Sequence, residues 1–284
     1  MTRSLGWLVS YPKSGNTWLR FLLESFLADG APVNINDRRL RGGVALVAGL
    51  EELFGIEASD LTEAEVMDLL PDFHRAVAAD ADRPLILCKV HDRYWRTASG
   101  EPAFPASVSQ GAIYLVRDPR DVAVSYAFHL GQPVDEIIAS MADSSTVLAD
   151  WGRTHFRQQL PQPLGSWSDH VASWLDQSEI PTLALRYEDL HADPVLALSA
   201  VIRHLGLSSE PRAVAAAVEA ARFERLSAQE LADGFNERPA RSSAPFFRSG
   251  RPGGWRDHLT PLQVARLERD HSAAMVRMGY SCTG

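Results

Sequence analysis

Four short apolar runs punctuate the chain: Gly6–Val9, Pro84–Asp92, Gly111–Val116 and Thr182–Tyr187. Each is bounded by polar or turn-forming residues, the pattern of a buried strand emerging at its carboxyl end. Around them, apolar positions recur at helical spacing. Leu19–Leu27 follows the first run, and Pro194–Leu205 and Pro211–Ala221 follow the fourth. Asp118 and Pro119 are a good N-cap and a good first residue for a helix after the third run. Thr260-Pro261 starts a last helix that runs to about Met278. Leu61 to Glu65 begins another, and Pro71 starts a second piece through Val77. Residues 38–60 carry mixed signals, and 93–110 read as a long loop. Residues 133–178 read as mainly helical, including Val147–Leu160 and Trp167–Leu175, with Trp151, Phe156, Trp167 and Trp174 as core. Strands alternating with helices predict an α/β fold, a central parallel sheet flanked by helices, and the length allows one large domain or two small ones.

Composition narrows the class. The chain is 45% hydrophobic and 23% charged, enough for a sizeable core. A net charge of −8 argues against a general binder of nucleic acid or acidic membrane, so an anion site has to be a local cluster of cations. Two cysteines, Cys88 and Cys282, exclude a disulfide framework, and Cys88 in an apolar run reads as a buried thiol. No apolar run approaches the roughly 20 residues that span a bilayer. The first candidate loop comes too early to leave room for a signal peptide. The expectation is a soluble, reduced, cytoplasmic protein with no metal site and no membrane or nucleic-acid partner.

The candidate chemistry gathers where strands end. Ser10-Tyr11-Pro12-Lys13-Ser14-Gly15-Asn16-Thr17-Trp18 joins the first strand to a helix. A polar turn opening a helix offers backbone N–H groups and a positive dipole end to an anion. Gly15 permits close approach, Lys13 supplies charge, and Ser14 and Thr17 supply hydroxyls. The spacing of a metal–nucleotide P-loop is absent. An ordinary turn with a stray lysine is the plain alternative. Lys89 and His91 close the second strand and face the same way, as site groups or as a strand entering solvent. Arg117 ends the third strand with Ser125 two turns into the next helix, a phosphate-binding pair or a structural ion pair. His74 reads as a satisfied core or surface histidine. Phe247 to Arg256 is a basic, glycine-rich loop that is either an anion lid or merely flexible.

Tyr11 to Trp18 resembles the 5′-phosphosulfate loop of sulfotransferases that use 3′-phosphoadenosine 5′-phosphosulfate (PAPS), with Asn16 where that family has threonine. Arg117-Asp118-Pro119-Arg120-Asp121, with Ser125 eight residues after Arg117, resembles the family's 3′-phosphate motif. Lys89-Val90-His91 stands where the family has Lys-Thr-His, and Tyr187-Glu188-Asp189 is similar to its Tyr-Glu-Asp. Arg248, Gly250, Gly253 and Trp255 match its late loop. Ser249 loses a lysine for which Arg251 is the candidate replacement. The dimerisation pattern of many members is broken at Pro261 and Ala265, leaving the oligomeric state open.

The resemblance implies a P-loop nucleotide-kinase-like fold in one domain over residues 1–284. It implies sulfuryl transfer from PAPS to a hydroxyl of a small acceptor, releasing 3′-phosphoadenosine 5′-phosphate (PAP). It implies His91 as base, with Lys13 and Lys89 stabilising charge. Ser14, Gly15, Asn16 and Thr17 hold the 5′-phosphate, and Trp18 and Tyr187 the adenine. Arg117, Ser125, Arg248 and Gly250 are implied to select the 3′-phosphate, and Ser249 and Arg251 stand with them as cofactor-binding candidates. The opening residues and Gly165-Ser166-Trp167 look similar to bacterial sulfotransferases that tailor antibiotics, which points to a phenol or alcohol of secondary metabolism. Two rivals are an ATP–Mg²⁺ phosphoryl-transfer enzyme on the same fold and a non-catalytic nucleotide-binding module. The acceptor pocket is expected from residues 30–80, 92–110, 130–165 and 225–247.

Overall fold

A computed structural model of the protein describes residues 4–37, 47–81, 83–149, 159–208 and 210–282. Among these residues the strands are β1 (Ser4–Ser10), β2 (Leu85–Val90), β3 (Ser109–Val116), β4 (Val147–Leu148), β5 (Gln162–Pro163) and β6 (Thr182–Arg186). The helices run α1 (Asn16–Leu27), α2 (Val47–Phe54), α3 (Glu63–Asp80), α4 (Pro119–Leu130), α5 (Val134–Ala142) and α6 (Trp167–Asp176). They continue as α7 (Tyr187–Ala192), α8 (Pro194–His204), α9 (Pro211–Ala220), α10 (Phe223–Asp233) and α11 (Pro261–Arg277).

The main sheet is parallel throughout, in the order β2-β1-β3-β6. Its register sets Val9 opposite Val90 and Tyr114, and Val116 opposite Arg186. All four carboxyl ends therefore share one edge. The chain leaves β1 for a neighbour on one side and later returns on the other, so the crevice beyond β1 is a topological switch point, where open α/β sheets bind ligands.

The apolar runs are continuous because both faces of the sheet are covered. Trp7 and Val9 point into one layer with Tyr114, Trp167, Trp174 and Leu267. Leu8, between them, points into the other with Ile113, Leu22 and Leu198. Burying each large apolar side chain contributes about 1.5–3 kcal/mol. Cys88 is fully buried, as expected, and burial pushes its thiol up to about 12. His74 is a core residue whose Nδ1 lies 2.7 Å from the carbonyl of Ala103. Thr62, Asp118 and Thr260 cap α3, α4 and α11 with their side chains, and Pro119 and Pro261 open α4 and α11.

Three expectations are corrected. Pro71 starts no second piece, because α3 runs straight through it. A proline inside a helix costs about 3 kcal/mol. Here Leu70 and Phe73 flank it in a cluster with Val66 and Leu50, and that packing holds the helix continuous. Val147–Leu148 is not helical but pairs antiparallel with Gln162–Pro163. The carbonyl of Thr146 accepts from the N–H groups of both Leu164 and Gly165 at 2.9 Å, fixing that ladder. The expected helix's remainder, with Trp151 and Phe156, falls largely at 150–158, outside the described residues. Finally, the loop at 93–110 puts no residue on the wall of the large cavity described below: Ala103 and Phe104 are buried, and Phe104 packs against Trp7 and Trp174. No helix among the described residues is long and apolar enough to cross a membrane.

Candidate active site

The residues that follow β1, β2, β3 and β6 open onto one cavity of about 860 Å³. After β1 the backbone turns through Lys13 at φ 68° and Gly15 at φ 102°. A Cβ at Gly15 would stand 2.6 Å from the Tyr187 ring, so both conformation and space require glycine. Asn16 directs its side chain away from the cavity: its Nδ2 donates to the carbonyl of Leu8 at 2.8 Å and to Ser10 Oγ at 3.2 Å. These bonds brace the loop against β1. No side chain caps α1, so its first-turn N–H groups and dipole are presented to whatever anion enters.

Around this turn stand the transfer groups. Lys13 Nζ lies 3.9 Å from the Phe246 ring centroid and 3.4 Å from His129 Nδ1. Burial, with Lys89 and Arg117 nearby, brings Lys13 down to about 7. Lys89 is lowered by burial too, against the pull of Glu237. His91 places Nδ1 2.7 Å from the carbonyl of Ser10. Burial and Lys89 lower its ring to about 3, so it is neutral at pH 7.

Arg117, only 8% exposed, also stands on the cavity wall. It donates to the carbonyls of Lys13 at 3.3 Å and Arg251 at 3.2 Å, and its guanidinium lies 4.4 Å from the Tyr187 ring centroid. Its Nε is buried without a partner. Asp121 fastens the late loop here, accepting from the N–H groups of Gly253 at 2.6 Å and Trp255 at 2.9 Å. Ser125, Arg248, Ser249 and Gly250 join the cavity wall. Trp18 and Tyr187 meet edge to face at 6.0 Å and, with Val218, Phe223 and Leu226, line an apolar slot. Tyr187 Oη donates to the carbonyl of Gly250 at 2.8 Å, tying slot to loop.

Two expected residues are not brought in. Ser14 is wholly buried and is absent from the cavity wall, with its Oγ lacking a partner. The Arg251 side chain is 64% exposed and pairs with Asp257 at 2.9 Å; only its backbone carbonyl reaches the site, through Arg117.

Sequence reading missed Arg20, Tyr126, His129, Arg222, Glu237 and Arg238, all on the wall. His129 was within reach, because it lies one helical turn beyond Ser125 on the same face. So was a compositional signal. Lys13 and Lys89 are the only lysines in a chain with 28 lysines and arginines, and both line this cavity.

A family model for the sulfotransferase domain matches residues 6–279. The chain belongs to the sulfotransferase family. Mouse sulfotransferase 1B1 is 25% identical over 278 residues, covering 94% of this chain and 81% of that protein. Rat sulfotransferase 2A6 is 27% identical over 161 residues, which span 55% of this chain and about half, 54%, of that protein. The same fold occurs in mouse sulfotransferase SULT7A1 complexed with PAP, with a TM-score of 0.59 at 19% identity over 97% of this chain and 85% of that one. It occurs also in retinol dehydratase in complex with retinol and PAP, with a TM-score of 0.62 at 18% identity over 97% and 82%. A PAPS-dependent sulfotransferase has to hold a nucleoside that carries anionic groups at two separated positions. The cavity wall carries groups of the kinds that demand calls for: the cations Lys13, Lys89 and Arg117, the last with its Nε buried without a partner, and the rings of Trp18 and Tyr187.

Proposed function

We propose that this sulfotransferase, as one domain over its 284 residues, sulfates a hydroxyl of a small phenol or alcohol of secondary metabolism, with His91 as general base. One observation carries the reading: the hydrogen bond of 2.7 Å between His91 Nδ1 and the carbonyl of Ser10. A carbonyl only accepts, so Nδ1 holds the proton and Nε2 keeps the lone pair. The ring is thereby set, neutral, to take the acceptor's proton as the acceptor oxygen attacks sulfur. PAPS supplies an activated sulfuryl group with phosphate as the leaving group. Lys13 stabilises charge developing on the leaving oxygen, and Lys89 assists at the sulfuryl oxygens. Gly15, Asn16 and Thr17 hold the 5′-phosphate through the first turn of α1, with Ser14 contributing backbone alone. Arg117, Ser125, Arg248, Ser249 and Gly250 take the 3′-phosphate, and Trp18 and Tyr187 flank the adenine.

The acceptor end supports an apolar alcohol or phenol. The cavity wall includes Tyr126, Leu130, Leu148, Pro239 and Phe246, together with the polar His129, Gln159, Asn236, Glu237 and Arg238. Retinol dehydratase, of the same fold, has been seen with retinol and with androsterone beside PAP.

The test is His91→Ala. Turnover of PAPS with a phenol such as 2-naphthol should fall by about 10²–10⁴-fold. Calorimetric affinity for PAP, without metal, should stay near the wild-type value and exceed that for AMP or ATP–Mg²⁺. Substantial residual turnover removes His91 from the base role, and a preference for ATP–Mg²⁺ overturns the donor assignment.

A further inference from the structure

Among the described residues the cavity wall carries Lys13, Arg20, Lys89, Arg117, Arg222, Arg238 and Arg248, and a single carboxylate, Glu237. A carboxylate beside the seat of a polyanionic donor opposes donor binding by Coulomb repulsion. Its position is nevertheless well defined. Asn36 Nδ2 donates to the carbonyl of Gly234 at 3.0 Å, and the N–H of Asn236 donates to Asn36 Oδ1 at 3.0 Å, pinning the segment just before it. Glu237 then reaches inward. One oxygen pairs with Arg20, while the other accepts from Thr17 Oγ1 at 3.3 Å and lies 3.6 Å from Lys89 Nζ.

We propose that Glu237 is a positioning residue for sulfuryl transfer, its carboxylate anchoring the Lys89 ammonium at the transfer site beside Lys13 and His91. The consequence for turnover rests on the sulfotransferase reading above. The physical need is specific to lysine. An arginine stays charged wherever it is buried, whereas a buried lysine loses its proton unless an anion holds it. The groups around Lys89 are Arg20 from α1, Lys13 after β1, His91 and Asp92 after β2, His74 from α3 and His129 from α4. Arg20 is cationic, Lys13 is brought down to about 7 and so is only partly protonated at neutral pH, and the three histidines are held neutral by burial. Burial pushes the Asp92 carboxyl up to about 8, so it is protonated at pH 7 and supplies no counter-charge. Glu237 differs: burial pushes its carboxyl up, but Lys89 and Arg20 outweigh that and hold it at about 2, fully ionised at neutral pH. The repulsion it imposes on the donor is offset by a charged, oriented lysine before the donor arrives.

The two-lysine composition makes the test direct. Protein carrying lysine labelled with ¹³C at Cε gives two side-chain signals, assigned with Lys89→Gln. In Glu237→Gln, which keeps the shape and removes the charge, the Lys89 titration midpoint should fall by about one pH unit. Glu237→Asp, which withdraws the charge by one methylene, should move it the same way by less. With PAPS and 2-naphthol, Glu237→Gln should lower kcat by an order of magnitude or more and move the alkaline limb of the rate profile to lower pH. PAP should bind as tightly as before or tighter, whereas a merely structural Glu237 would weaken it. In a Lys89→Met background, Glu237→Gln should cost almost nothing further. An unmoved Lys89 midpoint, or an equal cost in both backgrounds, overturns the proposal. Failure of PAP to perturb either wild-type lysine signal would instead overturn the donor assignment of the cavity, with the Glu237–Lys89 coupling read separately from the same titrations.

Discussion

At the proposed donor end of the cavity, Lys13, His91, Arg117 and Tyr187 all leave the carboxyl edge of one sheet; at the proposed acceptor end, Tyr126, His129, Leu148 and Phe246 come from a helix, a two-residue ladder and a loop. The first set is positioned by strand register. Val9 is locked between Val90 and Tyr114, so the turns that follow cannot move independently. The second set hangs on local bonds such as those to Thr146 and on the packing of aromatic rings, with Phe246 against Phe235 at 4.8 Å. Groups that perform the same chemistry on every acceptor belong on the rigid edge. Groups that choose the acceptor belong where the chain tolerates change.

That contrast is open to attack at each end. Lys13→Met should have the largest effect, a loss of about 3–4 kcal/mol in transition-state stabilisation that is the same for every acceptor tried. A loss that varies strongly between acceptors would blur the distinction. Lys13 also sets a pH dependence. In the proposed role it works protonated, and burial with Lys89 and Arg117 holds it at about 7 in the free protein. The protonated form is lost as pH rises through that value, so kcat/KM for PAPS should decline above about pH 7. His91, neutral down to about 3, adds no acid limb near neutrality. Arg117→Ala should come next, weakening PAP by about 1.5–3 kcal/mol while leaving AMP nearly unchanged in calorimetry. An equal loss for both nucleotides would make Arg117 a structural tie between Lys13 and the late loop. Leu148→Ala should have the smallest effect, raising KM for a bulky acceptor by about 1–3 kcal/mol in equivalent free energy without touching PAP affinity. A fall in PAP affinity there would mean the two ends are one site.

Much of the donor end is legible in the sequence. Short apolar runs mark the strands, and Asp118-Pro119 and Thr260-Pro261 mark helix starts, because caps and burial patterns are local properties of the chain. The acceptor end is not. Residues 93–110 read as pocket but put no residue on the cavity wall, since Phe104 finds Trp7 and Trp174 across the sheet. Ser14 and Arg251 belong to matching motifs yet turn away, one into the interior and one to Asp257. Arg20 and Glu237 belong to no motif, and they meet across more than two hundred positions of sequence.

By itself, the sequence determined which residues end strands, which turns require glycine, and that both lysines sit in segments able to bind an anion. Those facts follow from local backbone preference, hydrophobic periodicity and side-chain chemistry, which need no partner. Only the tertiary structure decided which cations share a cavity, which nitrogen of His91 carries the proton, and that a carboxylate from a distant loop lies 3.6 Å from Lys89. The reason is physical: charge, desolvation and hydrogen bonding act across space between groups the fold brings together, and a one-dimensional pattern carries no record of that distance.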